Sequence, residues 1–168
     1  MKKKTAAVLL TMVLFVTAAM ATSFTVWYLR RPLRLVSQCP ALARHERAVA
    51  IRVTVWPTQT DTSVPMGTDF QHILRDARVT KGVKTDQGPD VGMLIHVKDY
   101  LGNVNDYLEN GSDYLEVTYS IEVGQDGFVS VARTDDLEGT RTYWKDKDGD
   151  LFDKLYQCYL QNGGEEIQ

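Results

Sequence analysis

Three histidines, two cysteines and 22 acidic residues are the groups in this sequence that could carry proton transfer, metal binding or redox chemistry. A working histidine needs a nucleophile, a carboxylate or a metal within reach. His45 lies in a charged connector, His72 sits between Asp69 and Asp76, and His96 falls on a strand face with Leu94, Lys98 and Tyr100. There is no G-x-S-x-G, P-loop, H-E-x-x-H or C-x-x-C pattern to mark a partner for any of them. A Ser-His-Asp site assembles in space, and nothing here marks its nucleophile. The expectation is of structural or surface histidines, no cofactor and no enzyme.

The run Asp146-Lys147-Asp148-Gly149-Asp150 has the look of a calcium loop. An EF-hand places its glycine sixth and a bidentate Glu twelfth. With Gly149 sixth, the first and twelfth positions are Trp144 and Leu155, which offer no side-chain carboxylate. The run therefore reads as a charged turn leading into a helix, with no metal. No spacing singles out two carboxylates as an acid/base pair.

The elements that would position these groups begin with an unusual N-terminus. Lys2, Lys3 and Lys4 precede an uncharged stretch from Thr5 to Leu29, and Arg30, Arg31 and Arg34 follow it. About 25 uncharged residues in a helix are long enough to cross a bilayer core of about 30 Å. Two readings compete. Ala19-Met20-Ala21 fits an A-x-A signal-peptide cleavage site. Against cleavage, the apolar run continues through Phe24, Val26, Trp27, Tyr28 and Leu29, with Trp27 and Tyr28 where an interfacial aromatic belt belongs. Both imply export. The anchor reading, with the N-terminus inside, is preferred, giving a single-pass inner-membrane protein with a periplasmic C-terminal domain.

Cys39 and Cys158 bracket the exported part, and in an oxidising compartment such a pair can close a disulfide. Closing a loop of about 100 residues is worth at most about 4.7 kcal/mol in the chain-entropy model. The alternative is two small buried hydrophobes. The disulfide is the expectation.

Of 19 basic residues, six precede residue 36, where no acidic residue occurs; 13 basic residues remain against 22 acidic ones, a formal balance of −9. That balance argues against nucleic-acid binding, which needs clustered Lys and Arg. It also predicts repulsion from an anionic membrane surface.

Period-two alternation predicts strands over Ala48–Trp56, Val91–Tyr100, Tyr114–Val123 and Phe128–Arg133, the last two joined by Gly124-Gln125-Asp126-Gly127. Thr142–Trp144 could add a short strand. Phe70–Val79 is ambiguous between a helix capped by Asp69 and a strand starting near Ala77. Thr58–Thr68 and Lys81–Asp90 read as loops. Asp150–Gln161 reads as a helix capped by Asp150 and stopped by Asn162-Gly163-Gly164. The fold class is α+β: a mainly antiparallel sheet or partial barrel with a C-terminal helix, preceded by one transmembrane helix. The divisions are 1–29 anchor, 30–47 connector, 48–162 β-rich domain and 163–168 tail. Aromatic residues are many for so small a domain. Trp56, Tyr100, Tyr114 and Trp144 are candidates for a partner or ligand surface.

This layout resembles the FidL-like membrane protein family of enteric bacteria. The likeness rests on Cys39 soon after the membrane segment, a Pro89-Asp90 turn before the central strand, Tyr114-Leu115 leading to a hairpin at Gly127-Phe128, and Cys158 near the C-terminus. The helical ending after Gly149 and the residues beyond Cys158 depart from the pattern. The resemblance implies a single-pass inner-membrane protein with no known activity, of ToxS-like topology, partnering a ToxR-like membrane-bound regulator. A small-ligand carrier or sensor, with or without a cleaved signal peptide, is the alternative.

Overall fold

The computed structural model describes residues 2–44, 49–57, 64–84, 88–101, 115–134 and 140–166, leaving aside the side chains of 2–10, 29, 64, 100, 101, 115 and 116. The chain divides into two compact units, Met1–Arg31 and Pro32–Gln168.

The first unit is one helix, α1 (Lys2–Arg30), 29 residues long and therefore about 44 Å at about 1.5 Å per residue. Its segment Thr11–Tyr28 has a mean hydropathy of 1.4, so the helix is long and apolar enough to cross a membrane. Apolar side chains are exposed along it, from Met12 and Phe15 to Met20, Phe24 and Trp27. Its threonines hide their polarity: the hydroxyls of Thr17, Thr22 and Thr25 donate to the carbonyls of Val13, Ala18 and Ala21 at 3.0, 3.0 and 2.8 Å. A helix in hydrocarbon must satisfy its polar groups internally in this way. At its C-terminal end the Phe24 ring lies 5.9 Å from Trp27 and 6.4 Å from Tyr28, and the Arg31 guanidinium lies 6.0 Å from the Trp27 ring.

The second unit holds β1 (Leu33–Arg34), β2 (Val49–Trp56), β3 (Val64–Met66), α2 (Thr68–Asp76), β4 (Arg78–Lys81), β5 (Gly92–Leu101), β6 (Leu115–Gly124), β7 (Phe128–Arg133), β8 (Arg141–Asp146) and α3 (Leu151–Gln161). The strands form one sheet in the order β1-β4-β8-β7-β6-β5-β2-β3. Every pairing is antiparallel. The fold is α+β, as the alternation predicts, and the sheet is open rather than a partial barrel.

Alternation sends one set of side chains to each face. Register stacks the apolar set across strands: Val53 opposite Ile95, Ile95 opposite Ile121, and Ile121 opposite Val131. All four are buried, under Phe70 and Leu74 of α2, Leu151, Leu155 and Tyr159 of α3, and Leu35, Cys39 and Leu42. The last three overturn the expected connector. Leu35 donates its N–H to the Ala77 carbonyl at 2.8 Å, and the buried Gln71 amide donates to the carbonyls of Leu42 and Arg44, both at 3.1 Å. Two short 3-10 turns, Leu35–Ser37 and Pro40–Ala43, carry this segment into the core.

The Phe70–Val79 ambiguity resolves into both alternatives, a helix to Asp76 and a strand from Arg78. The cap assignments change. The residue before α2 is Gly67, so Asp69 lies inside the first turn. Asp150 precedes α3 but makes no side-chain capping bond; it pairs instead with Lys154 at 2.8 Å. The capping carboxylate is Asp146, which accepts the N–H of Leu151 at 2.9 Å and that of Asp148 at 3.1 Å. We expect Asp146→Ala to destabilise the domain by about 1–3 kcal/mol through the orphaned N–H groups, and Leu155→Ala by about 2–5 kcal/mol through the cavity it leaves. Asp150→Ala, which removes only an exposed pair, should cost under about 1 kcal/mol. Urea unfolding of the three variants checks the ranking, and equal losses at Asp146 and Asp150 would remove Asp146 as the cap.

Candidate functional site

The helices and turns cover one face of the sheet, so the other face is where the described strands present polar chemistry. Its central rows follow from register: Arg52 lies opposite His96, His96 opposite Ser120, and Ser120 opposite Ala132. Leu94 lies opposite Glu122, and Glu122 opposite Ser130, which lies opposite Tyr143. The Ser120 hydroxyl is 3.3 Å from His96 Nδ1. This is the one described arrangement with the form of a nucleophile–base pair. It sits half-buried on the sheet face and forms no part of the hollow lined by His72 described below.

The neighbouring row is a closed electrostatic unit. Ser130, wholly buried, donates to Glu122 Oε2 at 2.8 Å. Arg141 Nη1 reaches both Glu122 oxygens, at 3.0 and 2.9 Å. Glu122 is thereby committed to holding β6, β7 and β8 in register.

The aromatic candidates do not form one surface. Trp56 stands on the uncovered face, at the end of β2 opposite Gly92. A Cβ at Gly92 would fall 2.5 Å from the Trp56 ring, and the indole N–H donates to the Pro89 carbonyl at 2.9 Å. The indole is spent on covering a glycine and fixing the Pro89-Asp90 turn. Trp144 belongs to the opposite face, opposite Val129, where it packs against the core and donates its indole N–H to Thr142 Oγ1 at 3.0 Å. Tyr100 occupies the position opposite Glu116, with its side chain outside the described set, and Tyr114 lies outside the described residues.

A surface hollow of about 300 Å³ is lined by His72, Asp76, Arg78, Asp146, Asp148 and Lys154, among others. This gathers the aspartate run that resembles a calcium loop. Each carboxylate of the run already has a partner. Arg78 grips Asp148 with two bonds, at 3.0 and 2.8 Å, Lys154 takes Asp150, and Asp146 caps α3. The Arg78 hydrogen bond holds the Asp148 carboxyl below its ordinary range, so the pair survives as pH falls through that range and is lost only at lower pH. His72 is exposed at the rim. Among the described residues no group of three or more His, Cys, Asp or Glu side chains is arranged to hold a metal ion.

The expected disulfide is not formed in this structure. Cys39 and Cys158 are separate thiols, both buried in the common core. Burial pushes the Cys39 thiol up to about 12, with the Asp99 carboxylate adding to the effect. Burial also raises Cys158, helped by Asp69. Asp99 itself is buried and paired with Arg44 at 2.9 Å, while its Oδ1 has no hydrogen-bond partner. Sequence reading missed this ion pair because residues 44 and 99 meet only through the fold.

No protein-family model, curated protein or solved structure matches the chain.

Because the thiolate is the reactive form, both cysteines should resist iodoacetamide at neutral pH in the folded protein. Both should alkylate once the chain is unfolded in urea without reductant. Mass spectrometry reads the result, and protection that persists in urea until reductant is added would show a disulfide.

Proposed function

We propose that this protein is a membrane-anchored binding module. In this reading α1 is retained as a single inner-membrane span with its N-terminus inside. The sheet domain lies in the periplasm and works by pairing with another envelope protein, as the FidL-like layout implies for a ToxR-like regulator. The observation that carries the reading is the continuity of α1. The helix runs unbroken past Ala19-Met20-Ala21 to Arg30, ending in the cluster of Phe24, Trp27, Tyr28 and Arg31. Such a cluster suits the headgroup level of a bilayer.

The enclosed faces favour binding over transport of a small molecule. Between sheet and helices the space is filled by Phe70, Leu74, Met93, Ile95 and Leu155, each wholly buried, where a carrier needs an apolar cavity of several hundred Å³. The hollow beside α3 is lined by charged groups, of which Arg78 is paired with Asp148 and Lys154 with Asp150. Edge-to-edge pairing with a partner is also disfavoured. One edge strand has two residues and the other has three with Pro65 at its centre, and short or proline-bearing edges block strand addition.

The test is purification of the full-length chain from detergent-solubilised membranes, with intact mass measured on the same sample. Full-length mass, a co-purifying envelope protein, and a fall in that protein's level when the domain is deleted are expected. A soluble species shortened by about 20 residues, the length of a signal peptide, with envelope proteins unchanged by deletion, would sink the proposal.

A further inference from the structure

The −9 balance of the exported sequence is unevenly distributed. On the uncovered sheet face register places Arg34, Arg52, Arg78, Lys98, Arg141 and Lys145, from five of the eight strands. The acidic residues that register places there are Glu116 and Glu122, both on β6, and Glu122 is neutralised by Arg141 at 2.9 Å. Asp148, from the turn before α3, reaches Arg78 at 2.8 Å, and the other described carboxylates lie on α2 (Asp69, Asp76), on α3 and just before it (Asp150, Asp153), in the turns at Asp90 and Asp126, inward at Asp99 and Asp146, and in the tail at Glu165 and Glu166. Among the described residues, the strands thus give an acidic sequence a basic sheet face.

Two observations say what that face meets. First, the described charged side chains exposed on it are all basic, namely Arg34, Arg52, Arg78, Arg141 and Lys145, while its apolar members Trp56, Leu94 and Phe128 are half-buried. In the folded domain the exposed large hydrophobic among the described residues is Val83, which lies after β4 in the loop rather than on the face. A stable protein–protein interface has an apolar core, whereas a layer of phosphates asks for the guanidinium and ammonium groups this face carries. Second, only Arg31 and Pro32 lie between α1 and β1, and β1 brings Arg34 to the face. A bilayer crossed by α1 is therefore presented to the domain at high effective concentration.

We infer that the uncovered sheet face is a docking surface for the anionic phospholipid headgroups of the membrane that holds the anchor. The inference rests on the anchored reading of α1. It reverses the expectation drawn from net charge. At an ionic strength near 0.1 M charges more than about 10 Å away are largely screened, so a lipid surface responds to the face that touches it and not to carboxylates on the far side. Each basic residue near an anionic surface strengthens attachment by roughly five-fold.

The experiment uses the full-length chain in nanodiscs of phosphatidylcholine alone or with phosphatidylglycerol, and reads lysine acetylation by mass spectrometry. Lys145 on the face is exposed, and Lys154 on α3 serves as the control. We expect acetylation of Lys145 to fall by about five-fold or more in the anionic discs, with Lys154 unchanged. Half-molar salt should restore it. Arg34→Glu should restore it in part, with an unchanged melting profile showing that the variant is folded. Equal labelling of Lys145 in both discs overturns the inference. Protection that is as strong in neutral lipid overturns it too, and would assign the face to a protein contact. Intact mass of the reconstituted chain reports separately whether α1 is retained, so loss of the anchor and failure of lipid recognition give different signatures.

Discussion

A sheet with one apolar face must be covered, and that constraint shapes the whole domain. The inner set of β2, β5, β6 and β7 is almost entirely Val, Ile, Met and Tyr, and its members are buried. No single element is large enough to cover it. The cover is assembled from three places in the chain: the segment after α1, the nine-residue α2 and the eleven-residue α3. Buried hydrogen bonds lock these pieces to one another. Gln71 ties α2 to the Leu42 and Arg44 carbonyls, Leu35 ties the N-terminal segment to Ala77, and Asp146 ties β8 to α3. A buried amide or carboxylate with all its bonds made is stabilising, and with one missing it is costly, so these residues also fix which cover is chosen.

The strands that carry this constraint were legible because alternation is a local signal. Val49–Trp56, Gly92–Leu101 and Phe128–Arg133 fall within a residue of where alternation puts them, and α3 ends at the asparagine–glycine stop. What was not legible is short or depends on contact across the fold. Val64–Met66 and Leu33–Arg34 are too short to show a period. Leu35, Cys39 and Leu42 sit among prolines and arginines, so nothing local marks them as core. The cap of α3 was misassigned because Asp146 and Asp150 are equally plausible in sequence, and only the turn through Gly149, at φ +76°, brings the earlier carboxylate back to the helix.

The candidate site was legible by residue type but not by arrangement. Aromatic residues invite a reading as a binding surface, yet Trp56 and Trp144 alternate onto opposite faces and each is committed to a local bond. The aspartate run invites a metal, yet each carboxylate has a cation or a backbone N–H as its partner. The cysteines invite a disulfide, yet both serve as small buried hydrophobes in the core. In each case the ordinary structural demand outcompeted the chemical one, because an unpaired buried polar group costs more than a vacant binding site gains.

Charge shows the same limit from the other side. Net charge is a sum over the sequence, whereas interaction is a sum over what lies within a screening length. An antiparallel sheet converts alternation into two faces, and here the strands place six of their eight arginines and lysines on the uncovered one while helices, turns and tail carry most of the described carboxylates. The sum of −9 describes neither side. That segregation follows from burial. The inner positions admit charge where Asp99 and Asp146 are bonded in and at the strand ends, where Lys81 lies opposite Trp144 and Arg133 opposite Tyr119, so most charged strand residues point outward. A basic bias among those residues then becomes a basic face.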